Sequence, residues 1–236
     1  MWIDFLVNPL SIGQHIRSYV LRQGRLSPGQ QRAIDQLYPL WGIVFNARQG
    51  PLSFEELFNR RAPTILEIGF GMGEPTIEIA KTFPEKNFIV VDVHGPGVGN
   101  ILKLIDQEQI TNVRVLRHDA VEVITHLIPF SSLTGIHIFF PDPWPKARHH
   151  KRRLIQKPFI DQLAQHLENK GYIHLATDWQ DYAEQMLKVL SHCTALTNTV
   201  SDFSARPYYR PLTKFENRGL KLGHSVWDLI FVKETE

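Results

Sequence analysis

From Thr64 onward, short apolar runs of strand character alternate with longer amphipathic ones, and this alternation narrows the available folds more than any other feature. A chain of that kind builds a mainly parallel sheet whose strands are joined through helices, an α/β architecture. The apolar runs predict strands over 64–68, 88–92, 113–116, 136–140 and 172–177. Helical periodicity fills the gaps. It predicts a helix over 74–83, where Pro75 suits a first turn that has no use for its missing N–H. A second helix follows Asp119, placed as an N-cap before Val121, Val123, Ile124 and Leu127. Two more are predicted over 158–167 and 178–190, the latter opened by Asp178 as a cap. After Cys193 the alternation breaks, because 196–200 and 225–233 read as strands with no long helix between them. They predict an antiparallel pair closing one edge of the sheet.

The 236 residues suffice for one domain with a large core, and 43% hydrophobic with 21% charged residues exclude both wholesale disorder and a fibrous chain. No apolar run approaches the roughly 18 residues that span a bilayer. Residues 1–10 contain Asp4 and no basic n-region, unlike a signal peptide, so cytoplasmic residence is expected. The single cysteine, Cys193, excludes an internal disulfide and a cysteine zinc knuckle.

The formal net charge of +2 says little about partners, but its distribution says more. Lys146, Arg148, Lys151, Arg152 and Arg153 crowd one short stretch together with His149 and His150. Arg17, Arg22, Arg25 and Arg32 form a second basic stretch ahead of the main body. Two such segments point to a face built for phosphates, the alternative being a plain solvated surface. No metal site is expected: the paired histidines sit among cations, and His94, His118 and His137 show no ligand spacing.

The first predicted strand runs into Glu67-Ile68-Gly69-Phe70-Gly71-Met72-Gly73, where a doubly wound sheet places its ligand crevice. A dinucleotide fingerprint wants G-x-G-x-x-G, whereas here the third glycine comes one position early and an acid precedes the loop. That spacing disfavours NAD. It suits an adenosyl ligand with an amino-acid tail, whose ammonium group Glu67 can accept while Gly69 and Gly71 let the backbone approach. Asp92 ends the second strand, where a carboxylate can accept ribose hydroxyls, and Asp119 follows the third, within reach of an adenine amino group. Each alone reads equally as a helix cap. Three acids at three successive strand ends beneath one glycine loop form the constellation of class I methyltransferases.

The fourth strand ends in Phe139-Phe140-Pro141-Asp142-Pro143-Trp144-Pro145-Lys146, and three prolines in that span exclude helix and suit a rigid shelf. A carboxylate there, with an aromatic ring beside it, can grip a base edge and cover its face. Trp144 is the ring at hand, although a large ring at a strand end more often packs inside.

At these residues the chain resembles the bacterial tRNA (guanine-N7-)-methyltransferase family over nearly its whole length. The likeness rests on Arg17-Ser18-Tyr19-Val20, Arg22-Gln23-Gly24-Arg25 and Gly29-Gln30-Gln31-Arg32, on the glycine loop, and on Val93-His94-Gly95-Pro96-Gly97-Val98-Gly99. It continues through the proline shelf, Ala176-Thr177-Asp178-Trp179 and Thr213-Lys214-Phe215-Glu216, in the family's order.

The resemblance implies a Rossmann-like class I fold with a mostly parallel seven-stranded sheet, an antiparallel edge pair and helices on both faces. The chain is expected to comprise a basic extension over 1–60, packing on or preceding the core, and a methyltransferase domain over 61–236, and to be a monomer or homodimer. The implied reaction carries the methyl group of S-adenosylmethionine to N7 of guanosine 46 in the tRNA variable loop. Glu67, Gly69, Gly71, Asp92, Asp119 and Asp142 would hold the donor, Asp142 being also catalytic. Lys146, Asp178, Thr213, Lys214, Phe215 and Glu216 would contact the substrate, and Arg148, His149, His150, Lys151, Arg152 and Arg153 would meet RNA. The family commonly has Glu where this chain has Asp92, a shorter side chain that keeps the carboxylate. Two other readings share the fold: transfer to a metabolite or protein, which the basic segments disfavour, and RNA binding without catalysis, which the filled acidic positions disfavour. The stretch 206–223, rich in arginine and proline, is expected to order on RNA.

Overall fold

The computed structural model describes residues 16–19, 25–213, 216 and 225–235. Its core is a sheet with eight strands among those residues: β1 (Gly42–Ile43), β2 (Thr64–Ile68), β3 (Asn87–Val91), β4 (Val113–Leu116), β5 (Leu133–Phe139), β6 (Leu167–Thr177), β7 (Leu196–Asn198) and β8 (Trp227–Lys233). They lie in the order β1-β4-β3-β2-β5-β6-β8-β7. Pairings from β1 across to β6 are parallel, while β8 runs antiparallel to both β6 and β7. The antiparallel edge pair is therefore present. The eighth strand was not expected: β1 has two residues, too few for any periodicity, and forms because Ile43 buries its side chain while pairing with Leu116.

Among the described residues seven α-helices flank the sheet: α1 (Pro28–Trp41), α2 (Phe54–Phe58), α3 (Glu74–Thr82), α4 (Gly95–Gln107), α5 (Ala120–Leu127), α6 (Lys157–His166) and α7 (Gln180–Ser191). α3, α5, α6 and α7 fall within a few residues of expectation. The start of α7 differs, because Trp179 occupies its N-cap without a side-chain cap and Asp178 lies outside it. α4 escaped prediction, its three early glycines masking a buried stripe of Val98, Ile101, Leu102 and Ile105. α1 is opened by a reciprocal capping box in which Gln30 N–H donates to Ser27 Oγ and Ser27 N–H to Gln30 Oε1. It packs on α4, where Gln30 Nε2 donates to Pro96 O at 3.2 Å.

Strand pleating sorts the core into two layers. Leu66, Ile68, Ile136, Ile138, Ile173, Leu175, Leu229 and Phe231 face α5, α6 and α7 in one continuous apolar cluster. On the opposite face Ile65, Phe88, Val90, Val113 and Val115 meet α1, α3 and α4. Farther along that same face β5, β6 and β8 present His137, Phe139, Tyr172, His174 and Asp228, and the segment 203–213 crosses them where another helix would lie. Among the described residues no helix is long and apolar enough to cross a membrane.

Candidate active site

From β2 the chain moves outward to β3 and β4, then returns to lay β5 on the other side of β2. This reversal opens a crevice at the carboxyl ends of the central strands. Two adjoining cavities fill it. The smaller, about 380 Å³, is lined by Asp92, His94, His118, Asp119 and Asp142 among others. The larger, about 550 Å³, lies between Glu67, Met72, Glu74 and Glu78 on one side and Arg210 to Thr213 on the other. Gly69, Gly71, Phe139 and Phe140 line both.

The glycine loop is held from below. Gly71 has φ +59°, and its N–H donates to Asp92 Oδ2 at 3.0 Å. Asp92 Oδ1 accepts from His94 N–H at 2.9 Å, so one carboxylate ties the loop to the start of α4. The approach is so close that a Cβ on Gly97 would lie 2.0 Å from Gly71 O. Burial raises the Asp92 pKa and these two backbone donors oppose the rise. Asp119 caps α5 through Oδ1, which accepts Val121 N–H at 2.8 Å. The Tyr19 hydroxyl also bonds Asp119, and burial together with that carboxylate lifts the Tyr19 pKa to about 12. In both aspartates a hydrogen bond to the backbone coincides with a place in the cavity lining.

Glu67 differs. It is 4% exposed, its Oε2 has no hydrogen-bond partner among the described residues, and burial with the nearby Asp92 charge raises its pKa to about 7. A buried, unsatisfied carboxylate oxygen at a glycine loop matches an ammonium group, so the site fits the amino-acid end of S-adenosylmethionine.

The proline shelf is a strained loop bracketed by Phe140 at φ 51° and Trp144 at φ 45°, left-handed conformations that bulky side chains rarely adopt. Three contacts hold it: Phe140 N–H to Ala176 O at 2.7 Å, Trp144 Nε1 to Ser18 O at 2.9 Å, and Arg153 Nε to Pro143 O at 2.8 Å. Between the bracketing residues sits Asp142, its pKa raised by partial burial. The ring that lines the cavities beside it is Phe140; Trp144 instead packs outward, with the Arg152 guanidinium 5.0 Å from its ring.

The basic run forms a 3₁₀ helix, Ala147–Arg152, outside the cavities. Arg148 and Lys151 are exposed, and His149, His150 and Arg152 partly so. Burial and the cations of Arg148 and Arg152 keep the His149 pKa low. Arg153 departs from expectation: it is 3% exposed and spends its donors on Pro143 O, Gln185 Oε1 and Asp181 Oδ2. It props the shelf from inside and is not presented to RNA.

Of the expected substrate residues, Thr213 lines the larger cavity. Glu216 is buried, both of its oxygens accepting from Arg210, so it anchors the segment instead of facing the cavity. Lys146 is exposed at the start of the 3₁₀ helix, and Asp178 lines a separate cleft with Trp179, Asp181 and Trp227. Lys214 and Phe215 lie outside the described residues, as do Arg22 and, within 206–223, residues 217–223. Within Arg206 to Thr213, Arg210 ties the segment to the sheet through Asp228. Sequence reasoning missed Arg210, Phe140 and Tyr19. For Tyr19 the signal was present, in the Arg17-Ser18-Tyr19 motif; for Arg210 there was none.

The sequence model of a family described as "Putative methyltransferase" matches residues 61–229. The tRNA (guanine-N(7)-)-methyltransferase of Burkholderia pseudomallei (strain 1710b) is 58% identical over 227 residues, 96% of this chain and 84% of its own length. That of Neisseria meningitidis serogroup B is 58% identical over 216 residues, 92% of this chain and 90% of its own. This chain belongs to the tRNA (guanine-N(7)-)-methyltransferase family. Among solved structures, the 16S rRNA methyltransferase KamB superposes with a TM-score of 0.58 at 15% identity, covering 77% of this chain and 93% of its own. A 30S ribosomal A1408 methyltransferase from an uncultured bacterium gives 0.54 at 14% identity, covering 81% and 95%. At those identities the likeness concerns the fold, which is the Rossmann-like class I fold of S-adenosylmethionine-dependent methyltransferases. In this member of the guanine-N7 family, Glu67, Asp92 and Asp119 stand at three successive strand ends around the glycine loop.

Proposed function

We propose that the chain methylates N7 of a guanosine in tRNA, position 46 of the variable loop, with S-adenosylmethionine as donor. The observation that carries this reading is a pair of adjoining cavities that share Phe139 and Phe140, the smaller lined by Asp92, Asp119 and Asp142 and the larger by Glu67, Phe70 and the 210–213 segment; the donor spans the two and the acceptor base enters the larger. Glu67, Asp92 and Asp119 hold the donor by its ammonium, ribose and adenine, and when bound it supplies an electrophilic sulfonium methyl. Guanine N7 has an in-plane lone pair and no proton, so the acceptor needs no base. The chain's task is alignment, which in well-oriented reactions removes on the order of 7–11 kcal/mol of barrier. Asp142 accepts from the guanine ring N–H or amino group and offsets the positive charge that develops on the methylated ring. The exposed cations Arg148 and Lys151, with Arg17, Arg25 and Arg32, orient the tRNA backbone. Such an enzyme works in the cytoplasm, where tRNA matures.

The test is methyl transfer from labelled S-adenosylmethionine to an unmodified tRNA transcript, with nucleoside analysis by mass spectrometry. 7-Methylguanosine is expected from the normal transcript and none from one carrying adenosine at position 46. Product from the adenosine transcript would refute the position. Absence of product from both would refute the acceptor.

A further inference from the structure

Arg210 is 1% exposed and lies between two carboxylates. Its Nε and Nη2 donate to Asp228 at 2.7 and 2.8 Å, and its Nη1 and Nη2 to Glu216 at 2.8 and 2.9 Å. Asp228 is fixed in turn by His174 Nε2 at 2.8 Å, and the other ring nitrogen of His174 lies 3.0 Å from the Tyr209 hydroxyl. Buried ionic clusters seldom stabilise a fold more than apolar packing of equal volume, so stability alone does not account for this one. Orientation does: a planar guanidinium gripped on two sides has no rotational freedom left.

The anchored parts are both walls of one cavity. Pro211, Leu212 and Thr213 follow Arg210 directly and face Met72, Glu74 and Glu78 across the larger cavity. The ring of Phe140, which lines both cavities and begins the strained shelf, lies 5.6 Å from the Arg210 guanidinium carbon. We propose that Arg210 is a positioning residue for the acceptor base, locking the 210–213 wall against Phe140 and so setting the width of the cavity next to Asp142. This rests on the acceptor base entering the larger cavity beside the donor's amino-acid end at Glu67, as proposed above.

Arg210→Lys keeps the charge and loses both bidentate grips. Steady-state transfer to tRNA transcript and calorimetric binding of S-adenosylmethionine are measured side by side. The expected result is a fall of about 100-fold in kcat/KM for tRNA, the scale of a 1 Å misplacement, with the donor Kd within about threefold of wild type. Glu216→Gln retains the Asp228 grip and guards against a Lys variant that does not fold; it should show the same pattern at about tenfold. Wild-type activity with both variants within about threefold of it, or a donor Kd that weakens in step with kcat/KM, would overturn the proposal. A wild-type protein that transfers nothing to tRNA would overturn the functional reading instead.

Discussion

With Glu67 in its proposed role at the donor's ammonium group, donor binding is expected to be a proton-coupled event. Its carboxyl is buried with one oxygen unsatisfied, and burial raises its pKa to about 7, so at neutral pH half of the molecules carry it protonated. Only the carboxylate pairs with an ammonium group, and pairing returns the pKa toward the ordinary carboxylate range of about 4.3. Donor binding should therefore expel ~0.9 proton at pH 6, ~0.5 at pH 7 and ~0.1 at pH 8. By the same linkage, affinity should fall roughly tenfold, about 1.4 kcal/mol, between pH 8 and pH 6. The sign for the ligand-free fold is opposite. A folded pKa above the unfolded one contributes stability below about pH 4.3 that is lost as pH rises through about 7, so Glu67→Gln should stabilise the ligand-free protein at pH 8 by about 4 kcal/mol. The assay is titration calorimetry with S-adenosylmethionine in two buffers of different ionisation enthalpy, at each pH. Wild type minus Glu67→Gln removes the contribution of the ligand's own groups. Equal proton release by the two proteins at all three pH values would refute the reasoning.

Three further outcomes follow from the geometry. Asp142→Asn should lower transfer to tRNA by about 10²–10³-fold; a variant within a factor of three of wild type would remove Asp142 from the reacting site. In Gly97→Ala the new Cβ meets Gly71 O at 2.0 Å, so the glycine loop must shift: thermal unfolding should show a loss of about 1–3 kcal/mol together with weaker donor binding. Neutralising Arg148 or Lys151 should weaken tRNA binding uniformly across tRNA species and reduce the slope of log K against log salt by about 1 each; an unchanged slope would place that cation off the RNA.

Much of the fold was legible because burial imposes period and length. The strands β2 and β4 coincide with their predicted bounds, each a short, mainly apolar run interrupted by one charged residue, Glu67 or Arg114, and followed by glycine or a polar residue. α4 was hidden by the very glycines that let it approach the loop, and β1 by its brevity. In the candidate site, the four acids could be read from strand ends because topology brings those ends together. Arg153 and Arg210 could not. One looks like part of a solvated basic run and the other like a loop arginine, yet both are buried, since their carboxylate partners lie 28, 18 and 6 residues away in sequence. Sequence displays a charge without showing whether folding will surround it.

The polar layer on β5, β6 and β8 has a consequence for assembly. Side chains alternate across a strand, so sliding β8 by one residue against β6 would push Asp228 into the apolar cluster and bring Leu229 beneath the arginine. An unpaired carboxylate in hydrocarbon costs several kcal/mol, whereas an all-aliphatic seam would tolerate the slip at little cost. The His174–Asp228–Arg210 cluster thus works as a key that only one alignment of the last strand can turn, discriminating against near-native misfolds at the seam where an antiparallel strand must join a parallel sheet.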